Sequence, residues 1–425
     1  MTPAIPTMSE FRIERQDNGL IHLVFDCQGR SMNVFSNKAI HELGAFADWL
    51  RESDVRGVVV RSGKASGFCA GADLTELGVA YDMIVAAPAY ARFDMAFNHF
   101  FPLGHAIRRL ESSGVPVAAA IAGVALGGGC ELALGAHYRV TSDSRRVLLG
   151  LPECAVGLLP GAGGTQRMPR VVGLELGLEV LLLGRNLAGQ EAIDAGLVDA
   201  IVPEGEEVAA AEAWLLSDAA TSVQPWDRPG ATPLTHADIA PAIERHRARE
   251  LARMLGHEPA PLAILDCVEL GLIQPIDGAI RAEMSVFSGL IQRAEARNMI
   301  RTLFLGKQAY DKASRDGSLA PAVNAAAEQI KAIISEAVAT CPDLRLAGFL
   351  PDGAAREPVQ ARPGADFWIR ARGDLLAALG GVSGKLRTIA EPLAGNEGLQ
   401  LDYAVTANGA IPAYLGGVSG LAEVA

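Results

Sequence analysis

The chain has 425 residues, of which 50% are hydrophobic, and carries a net charge of −12 at pH 7. The length predicts two or three domains, each with its own core, and the acidic balance argues against nucleic acid as a partner. No apolar run reaches the roughly 18 residues that a membrane span needs, so no span is expected. The residues that follow Met1 lack the pattern of a secretory signal, and the six cysteines form no CxxC pair. We therefore expect a cytoplasmic protein without a disulfide framework or a metal site.

The first half of the chain alternates short strands with helices. Strands are predicted at 20–26, 56–61, 117–124, 139–142, 147–149 and 197–202. Helices are predicted at 36–50 with Ser36 as N-cap, from Gly128 onward, and over most of 163–195. This alternation predicts a layered α/β domain over residues 10–203.

The second half is predicted to be mainly helical. A Pro-rich crossing at 224–233 lies within a region, 204–315, whose pattern is helical from residue 239 onward. Residues 316–425 are rich in Ala, Gly and Pro, and only a helix near 321–340 is predicted there. The hexapeptide Leu-Gly-Gly-Val-Ser-Gly occurs at 379–384 and at 415–420. We interpret it as a chance match, because no longer repeat surrounds it.

Three consecutive glycines, Gly127–Gly129, stand between a predicted buried strand and a predicted helix, two residues ahead of Glu131. Glycines there let another molecule approach the backbone, and the N–H groups of a first helical turn lack partners. A carbonyl oxygen that gains negative charge can bind to them, and one such donor is worth about 3–4 kcal/mol of barrier. The alternative, that the glycines serve only close packing of helix and strand, carries equal weight for this motif alone.

The turn 66–74 follows the predicted strand at 56–61 and offers a second N–H group, that of Ala72, to the same oxygen. An ordinary strand-to-helix turn in which Asp73 is the N-cap is the favoured interpretation of this turn alone.

Glu131 and Glu153 are 22 residues apart, which leaves room for two strands between them, so the two carboxylates can converge. Such a pair can share a water molecule, with one group accepting a proton while the other donates one. The alternatives are a helix-dipole residue for Glu131 and a surface carboxylate for Glu153. The sequence contains no GxGxxG, GxSxG, P-loop or HExxH motif, and a structural role is favoured for His137.

Together, these motifs resemble the crotonase superfamily of enoyl-CoA hydratases and isomerases. The resemblance covers about residues 20–203, and its motifs lie at 66–74, 120–134, 150–167 and 192–199. The phrase Val147–Glu153 is most similar to the hydratase part of multifunctional fatty-acid oxidation α-subunits. The segment 293–307 resembles the one that links hydratase and dehydrogenase in those proteins.

The resemblance implies an α/β fold, a spiral of ββα units, followed by the helical region 204–315 that completes the hydratase domain. It implies that Ala72 and Gly128 donate N–H groups to the acyl thioester, and that Glu131 and Glu153 hold and activate the water. The implied reaction is addition of water to a 2-enoyl-CoA, which gives a 3-hydroxyacyl-CoA. The substrate itself carries coenzyme A, so no further cofactor is expected. Residues expected to contact the substrate are Lys64 near the CoA, with Ala70, Gly71, Asp73 and Gly161.

The resemblance also implies a homotrimer or hexamer. Where those α-subunits continue into a dehydrogenase, Ser314–Ala425 has no nucleotide fingerprint, so the second activity is not expected from these residues. Their role is left open between a lid, an oligomerisation element and a docking surface for a protein partner. Two other functions remain open, a Δ3,Δ2-enoyl-CoA isomerase and a non-catalytic acyl-CoA-binding scaffold. The segment 75–110, rich in Phe and Met, is expected either to line the acyl pocket or to be helix core.

Overall fold

The computed structural model describes residues 5–254, 257–339 and 365–424. The chain forms two compact units. The first consists of Met1–Ala155, Leu159–Ala242 and Ala263–Gly289, and the second of Val156–Leu158, Ile243–Leu262 and Leu290–Ala425. The domain boundaries at residues 203 and 315 stay predictions.

The first unit contains two sheets. Its strands are β1 (Phe11–Arg15), β2 (Leu20–Phe25), β3 (Gly57–Ser62), β4 (Gly67–Cys69), β5 (Val117–Ile121), β6 (Val124–Leu126), β7 (Tyr138–Ser142), β8 (Leu148–Gly150), β9 (Asn186–Leu187) and β10 (Ala200–Val202). The larger sheet has the order β1-β2-β3-β5-β7-β10 and is parallel except for β1. The smaller sheet has the order β4-β6-β8-β9 and is parallel except for β9. This is the predicted α/β class, with parallel sheets.

The single strand predicted over 117–124 is wrong, because β5 and β6 belong to different sheets. Gly123 separates them in a left-handed conformation, φ 85°. A Cβ added there would lie 3.0 Å from the Cα of Gly67, so only glycine fits without a shift. The chain therefore leaves one sheet and enters the other at this residue.

Eleven α-helices of the described residues lie between 37 and 290, and the one at 207–216 lies outside the regions predicted to be helical. They are α1 (Asn37–Arg51), α2 (Leu74–Ala86), α3 (Ala89–Glu111), α4 (Gly128–Leu134), α5 (Gly164–Val172), α6 (Leu174–Leu183), α7 (Gly189–Asp194), α8 (Glu207–Leu216), α9 (His236–Met254), α10 (Ala260–Gly271) and α11 (Ile276–Leu290). Ser36 caps α1 as predicted, because its Oγ accepts a hydrogen bond from the N–H of Ala39 at 3.2 Å. The short strand β9 interrupts the region predicted to be helical over 163–195. Helix α8 packs on the larger sheet, where the Trp214 ring stacks on Tyr138 with centroids 4.8 Å apart.

The regular elements of the second unit, in its described residues, are all helices. Beyond residue 290 it contains α12 (Ala294–Met299), a π-helical stretch (Ile300–Gly306), α13 (Lys307–Asp316), α14 (Pro321–Ala339), α15 (Ala365–Ala390), α16 (Asn396–Ala407) and α17 (Gly417–Val424). Its core includes Ile330, Leu401 and Val405. Helix α14 is the predicted helix near 321–340, whereas α15, α16 and α17 were not predicted. None of the helices in the described ranges combines the length and the hydropathy needed to cross a bilayer.

Candidate active site

Two glycine turns of the first unit are in contact. Gly71 and Gly127 are both left-handed, with φ of 99° and 53°. A Cβ added to Gly71 would lie 3.4 Å from the N atom of Gly128, and one added to Gly127 would lie 3.5 Å from the Cα of Gly71. The two turns that sequence reasoning selected therefore lie side by side.

Each turn presents an N–H group that makes no hydrogen bond within the described residues, that of Ala72 and that of Gly128. Phe35 forms hydrogen bonds with the two neighbours of Ala72. Its N–H donates to the carbonyl of Gly71 at 2.8 Å, and its carbonyl accepts from the N–H of Asp73 at 3.1 Å. Ala72 is the residue opposite Phe35 in this parallel bridge, so its N–H points away from Phe35. Gly128 is the first residue of α4, where N–H groups have no partner within the helix.

Glu153 lies against the second of these turns, in the 3₁₀ turn Pro152–Val156. A Cβ added to Gly127 would come within 2.7 Å of Glu153 Oε1. The other carboxylate oxygen, Oε2, is buried and has no partner within the described residues. Burial raises the pKa of Glu153 well above its usual range, and the charge of Glu131 raises it further.

Glu131 projects from α4 and is 2% exposed. Its Oε1 accepts two hydrogen bonds, from the N–H of Ala162 at 2.7 Å and from the N–H of Gly164 at 2.8 Å. Burial raises the pKa of Glu131 to about 7, although the two N–H groups favour its charged form.

A third glutamate, Glu283 on α11, belongs to the same cluster and was not predicted. Its Oε1 accepts from the N–H of Gly163 at 2.6 Å, and its Oε2 accepts from the N–H of Thr165 at 3.0 Å and from the Thr165 hydroxyl. Burial, followed by the charge of Glu131, raises the pKa of Glu283 to about 8. We call Glu131, Glu153 and Glu283 the carboxylate cluster, and residues 162–165 the amide turn.

The sequence carries a signal for Glu283. It lies on the apolar stripe of α11, where Ala279, Ile280, Met284 and Phe287 are buried at helical spacing. A glutamate is almost never fully buried unless it is paired or hydrogen-bonded. Its place on that stripe therefore indicates that Glu283 has a buried polar partner, but it does not identify the partner.

A buried ion pair supports the carbonyl side of the amide turn. Arg167 on α5 contacts Glu111 on α3, with Nη2 and Oε2 2.8 Å apart, and neither residue is more than 1% exposed. The same guanidinium donates from Nη1 to the carbonyl of Ala162 at 2.9 Å. The amide turn is thus fixed through its carbonyl as well as through its N–H groups.

Three of the residues predicted to contact substrate have local structural contacts. The Asp73 carboxylate caps α2, accepting from the N–H of Thr75 at 3.0 Å, and pairs with Arg30 at 2.5 Å. The Ala70 N–H donates to Asn33 at 2.9 Å. Gly161 packs on an aromatic ring, since a Cβ added there would lie 3.2 Å from Cδ2 of Phe287. Their contact with substrate stays a prediction.

Lys64 does not join the carboxylate cluster through any contact in the described residues. Its Nζ lies 2.8 Å from Asp26 Oδ1, and this hydrogen bond lowers the pKa of Asp26. Lys64 also lines a cavity of about 200 Å³ together with Ser142 and Arg146, and no cluster residue lines that cavity. A contact between Lys64 and CoA stays a prediction.

The segment 75–110 forms most of α2 and α3. Met83, Phe93 and Met95 are 52%, 43% and 37% exposed, so these three side chains are not helix core. Whether the segment lines an acyl pocket stays a prediction. Within the described part of the chain, no group of three or more His, Cys, Asp or Glu side chains is arranged to hold a metal ion.

The cluster and the two N–H groups can act together in proton transfer. Once Glu131 is ionised, its charge opposes ionisation of Glu153 and Glu283. One carboxylate can therefore accept a proton while its neighbour still carries one. The N–H groups of Ala72 and Gly128 are available to an oxygen that gains negative charge.

Comparison with known proteins gives a consistent result. Residues 16–223 match the family model described as Enoyl-CoA hydratase/isomerase. The chain is 33% identical over 315 residues to the fatty acid oxidation complex subunit alpha of Shewanella amazonensis. This alignment covers 73% of this chain and 43% of that protein. It is 35% identical over 322 residues to the subunit of the same name from Shewanella loihica, and this alignment covers 74% of this chain and 44% of that protein. The chain therefore spans less than half the length of these relatives.

Solved structures also match parts of the chain. Pseudomonas aeruginosa DspI is 27% identical, covers 51% of this chain and 82% of its own, and has a TM-score of 0.42. An enoyl-CoA hydratase from Bacillus anthracis is 23% identical, covers 69% of this chain and 96% of its own, and has a TM-score of 0.43.

Proposed function

Because the chain belongs, through residues 16–223, to the enoyl-CoA hydratase/isomerase family, we propose that it adds water to a 2-enoyl-CoA thioester and forms the 3-hydroxyacyl-CoA. One observation carries this proposal. Two buried carboxylates accompany the N–H groups of Ala72 and Gly128, which make no hydrogen bond within the described residues: Glu131 lies on α4, which begins at Gly128, and Glu153 lies against Gly127. A protein that only bound acyl-CoA would have no need of both carboxylates.

The N–H groups of Ala72 and Gly128 would bind the thioester oxygen. Addition of water to C3 pushes electrons onto that oxygen, and the two donors stabilise the resulting enolate. Removal of one such donor in other enzymes costs about 3–4 kcal/mol of transition-state stabilisation. Because these are backbone groups on glycine turns, they are already oriented before substrate binds.

The carboxylates would divide the proton transfers between them. Glu131, which ionises first, takes a proton from water while the water oxygen bonds to C3. Glu153, which retains its proton, delivers it to C2. The cycle closes when the proton taken up by Glu131 is passed to Glu153, directly or through solvent. This scheme uses only the CoA carried by the substrate, and no separate cofactor.

The proposal is tested by the hydration of a short and a long 2-enoyl-CoA. We expect turnover by the wild-type chain, and a loss of about 10²–10⁴-fold in Glu153→Gln, the range typical for a general acid. CoA-ester binding should persist in that variant. Glu191→Gln, which alters an exposed glutamate paired with Arg185, is the matched control and should keep full turnover.

Other outcomes would favour the alternatives. Conversion of a 3-enoyl-CoA to the 2-enoyl-CoA without hydration would indicate an isomerase. Binding of acyl-CoA without any turnover would indicate a scaffold, and absence of binding would contradict the proposal altogether.

We further propose a homotrimer or hexamer, with residues 316–425 serving as a lid, an oligomerisation element or a docking surface for a protein partner. Light scattering on the eluting protein gives its mass in multiples of the 44.5 kDa chain. A mass of one chain at working concentration would contradict the oligomer.

A further inference from the structure

The amide turn is bound by two carboxylates in strict alternation. The N–H groups of Ala162 and Gly164 donate to Glu131, and those of Gly163 and Thr165 donate to Glu283. Four successive N–H groups therefore point to two opposite sides of one turn. Two of them hold a glutamate of the proposed catalytic pair, and the other two hold a glutamate outside it.

This alternation links the two carboxylates mechanically. If Glu283 released Gly163 and Thr165, the amide turn would lose two of the four N–H bonds that fix it, and the N–H groups of Ala162 and Gly164 would be held less firmly toward Glu131. Local capping does not replace it, because Gly163, the N-cap of α5, supplies no side-chain hydrogen bond. On the carbonyl side, the Arg167 guanidinium donates to Ala162, and the N–H groups of Gln166 and Arg167 donate to Gly163 at 3.2 Å and 2.8 Å.

The two carboxylates are also linked by charge. From α5, Arg167 favours the charged form of Glu283, and from α4, Glu131 opposes it. Cys267 on α10 packs against the backbone of Glu283, its Sγ lying 3.9 Å from the carbonyl oxygen. An ionised Glu283 in turn opposes ionisation of Glu153. The charged groups that interact with Glu283 thus include the cations of Arg167 and Arg170 on α5 as well as the carboxylates of Glu131 and Glu153.

We infer that Glu283 is a positioning residue for the proposed hydration: it aims the amide turn at Glu131, and in its ionised form it opposes loss of the proton from Glu153. The inference deepens the proposed function and rests on it for the kinetic test alone. Glu283 itself touches no reacting atom in this scheme.

The test compares Glu283→Gln with the wild type in the full chain. The glutamine keeps one acceptor oxygen but loses the charge and presents an N–H₂ group to Thr165. We expect kcat to fall about 10-fold while KM stays within about two-fold, because orientation rather than binding is lost. The alkaline limb of the pH–rate profile should move about one pH unit lower, since removal of a neighbouring negative charge makes Glu153 easier to ionise.

Ser288→Ala is the matched control on the same helix. It removes a buried hydroxyl that donates to Met284 at 2.7 Å, so it perturbs α11 without touching the carboxylate cluster. If Glu283 only stabilises the fold, both variants will lower the free energy of unfolding and leave the pH profile in place. That result would overturn the inference.

Two further measurements keep the test decisive. If Glu283→Gln fails to fold, Thr165→Val serves in its place, because it removes the hydroxyl that donates to Glu283 and should lower kcat in the same way. Thr165→Ser keeps that hydroxyl and should retain the wild-type kcat. Titration of ¹³C-labelled glutamate carboxyls by NMR requires no turnover. A Glu153 titration that is the same in wild type and Glu283→Gln would overturn the charge coupling even if the chain proved inactive. Absence of wild-type turnover, with that titration shifted, would instead overturn only the proposed hydration.

Discussion

The first unit contains two kinds of buried carboxylate. Glu111 is held by the cation of Arg167, and both side chains are inaccessible. Glu131 and Glu283 are equally buried, but their direct partners are neutral N–H and O–H groups. A cation compensates a buried negative charge directly, whereas neutral donors leave the proton within reach of neutral pH, as the raised pKa values of Glu131 and Glu283 indicate. Glu131 and Glu283 are therefore able to exchange protons near neutral pH, whereas Glu111 mainly holds α3 and α5 together.

The largest expected effect is on the hydration rate, after substitution of a carboxylate whose direct partners are neutral N–H groups. Glu131→Gln removes the proposed base, and we expect hydration to fall about 10²–10⁴-fold. Glutamine still accepts from Ala162 and Gly164, so the free energy of unfolding should change little. Steady-state kinetics and urea unfolding of the same preparation measure the two effects. A variant that loses stability but retains its rate would remove the distinction between the two kinds of carboxylate.

The next effect should be on stability, at the ion-paired carboxylate. Glu111→Gln leaves the Arg167 cation buried without its acidic partner, and we expect a loss of about 3–5 kcal/mol in the free energy of unfolding. Turnover per folded molecule should stay within a few-fold of wild type, because the Arg167 bond to Ala162 remains. Urea denaturation measures the loss. If Glu111→Gln kept the wild-type free energy of unfolding, the ion pair would contribute no net stability.

The smallest effect concerns pH. The pKa of Glu131 is raised from 4.5 to about 7 in the folded chain. Between these values the folded state keeps a proton that the unfolded chain has lost, so this group makes the free energy of unfolding fall as pH rises. Urea unfolding at about pH 5 and about pH 7 should show this fall in the wild type and a shallower one in Glu131→Gln. Equal slopes in the two proteins would contradict the raised pKa.

Local pattern was sufficient for part of the site. Glu131 and Glu153 stand beside glycine turns in apolar surroundings, and the left-handed conformations of Gly71 and Gly127 explain why glycine is needed there. The contact between those turns follows from the parallel order of β4, β6 and β8, which places the ends of these strands at one edge. The order of motifs along the chain was therefore enough to select both turns.

Pattern was insufficient where a contact joins distant segments. Glu283 is 118 residues from Thr165 in the chain, and no local motif connects them. The apolar stripe of α11 marks Glu283 as buried but cannot name its partner. The pairing of Glu111 with Arg167, which joins α3 to α5, was missed for the same reason.

The repeated hexapeptide shows how far context decides conformation. At 379–384 it lies inside α15, whereas at 415–420 two of its three glycines, Gly416 and Gly417, are left-handed with φ of 77° and 65°. The first copy has exposed glycines, while those of the second are buried. Six residues of small side chains do not determine a structure alone, which also explains why α15, α16 and α17 escaped prediction.

The alternating bonds of the amide turn have a consequence for the order of folding. Helix α5 has no side-chain cap of its own, and the N–H groups of its first two residues, Gly164 and Thr165, donate to glutamates 33 and 118 residues away in the chain. Loops of that length close slowly compared with the formation of a helical turn. We therefore expect the start of α5 to be completed late, after α4 and α11 have docked, and the candidate active site to become ordered in the same step as the long-range topology of the first unit.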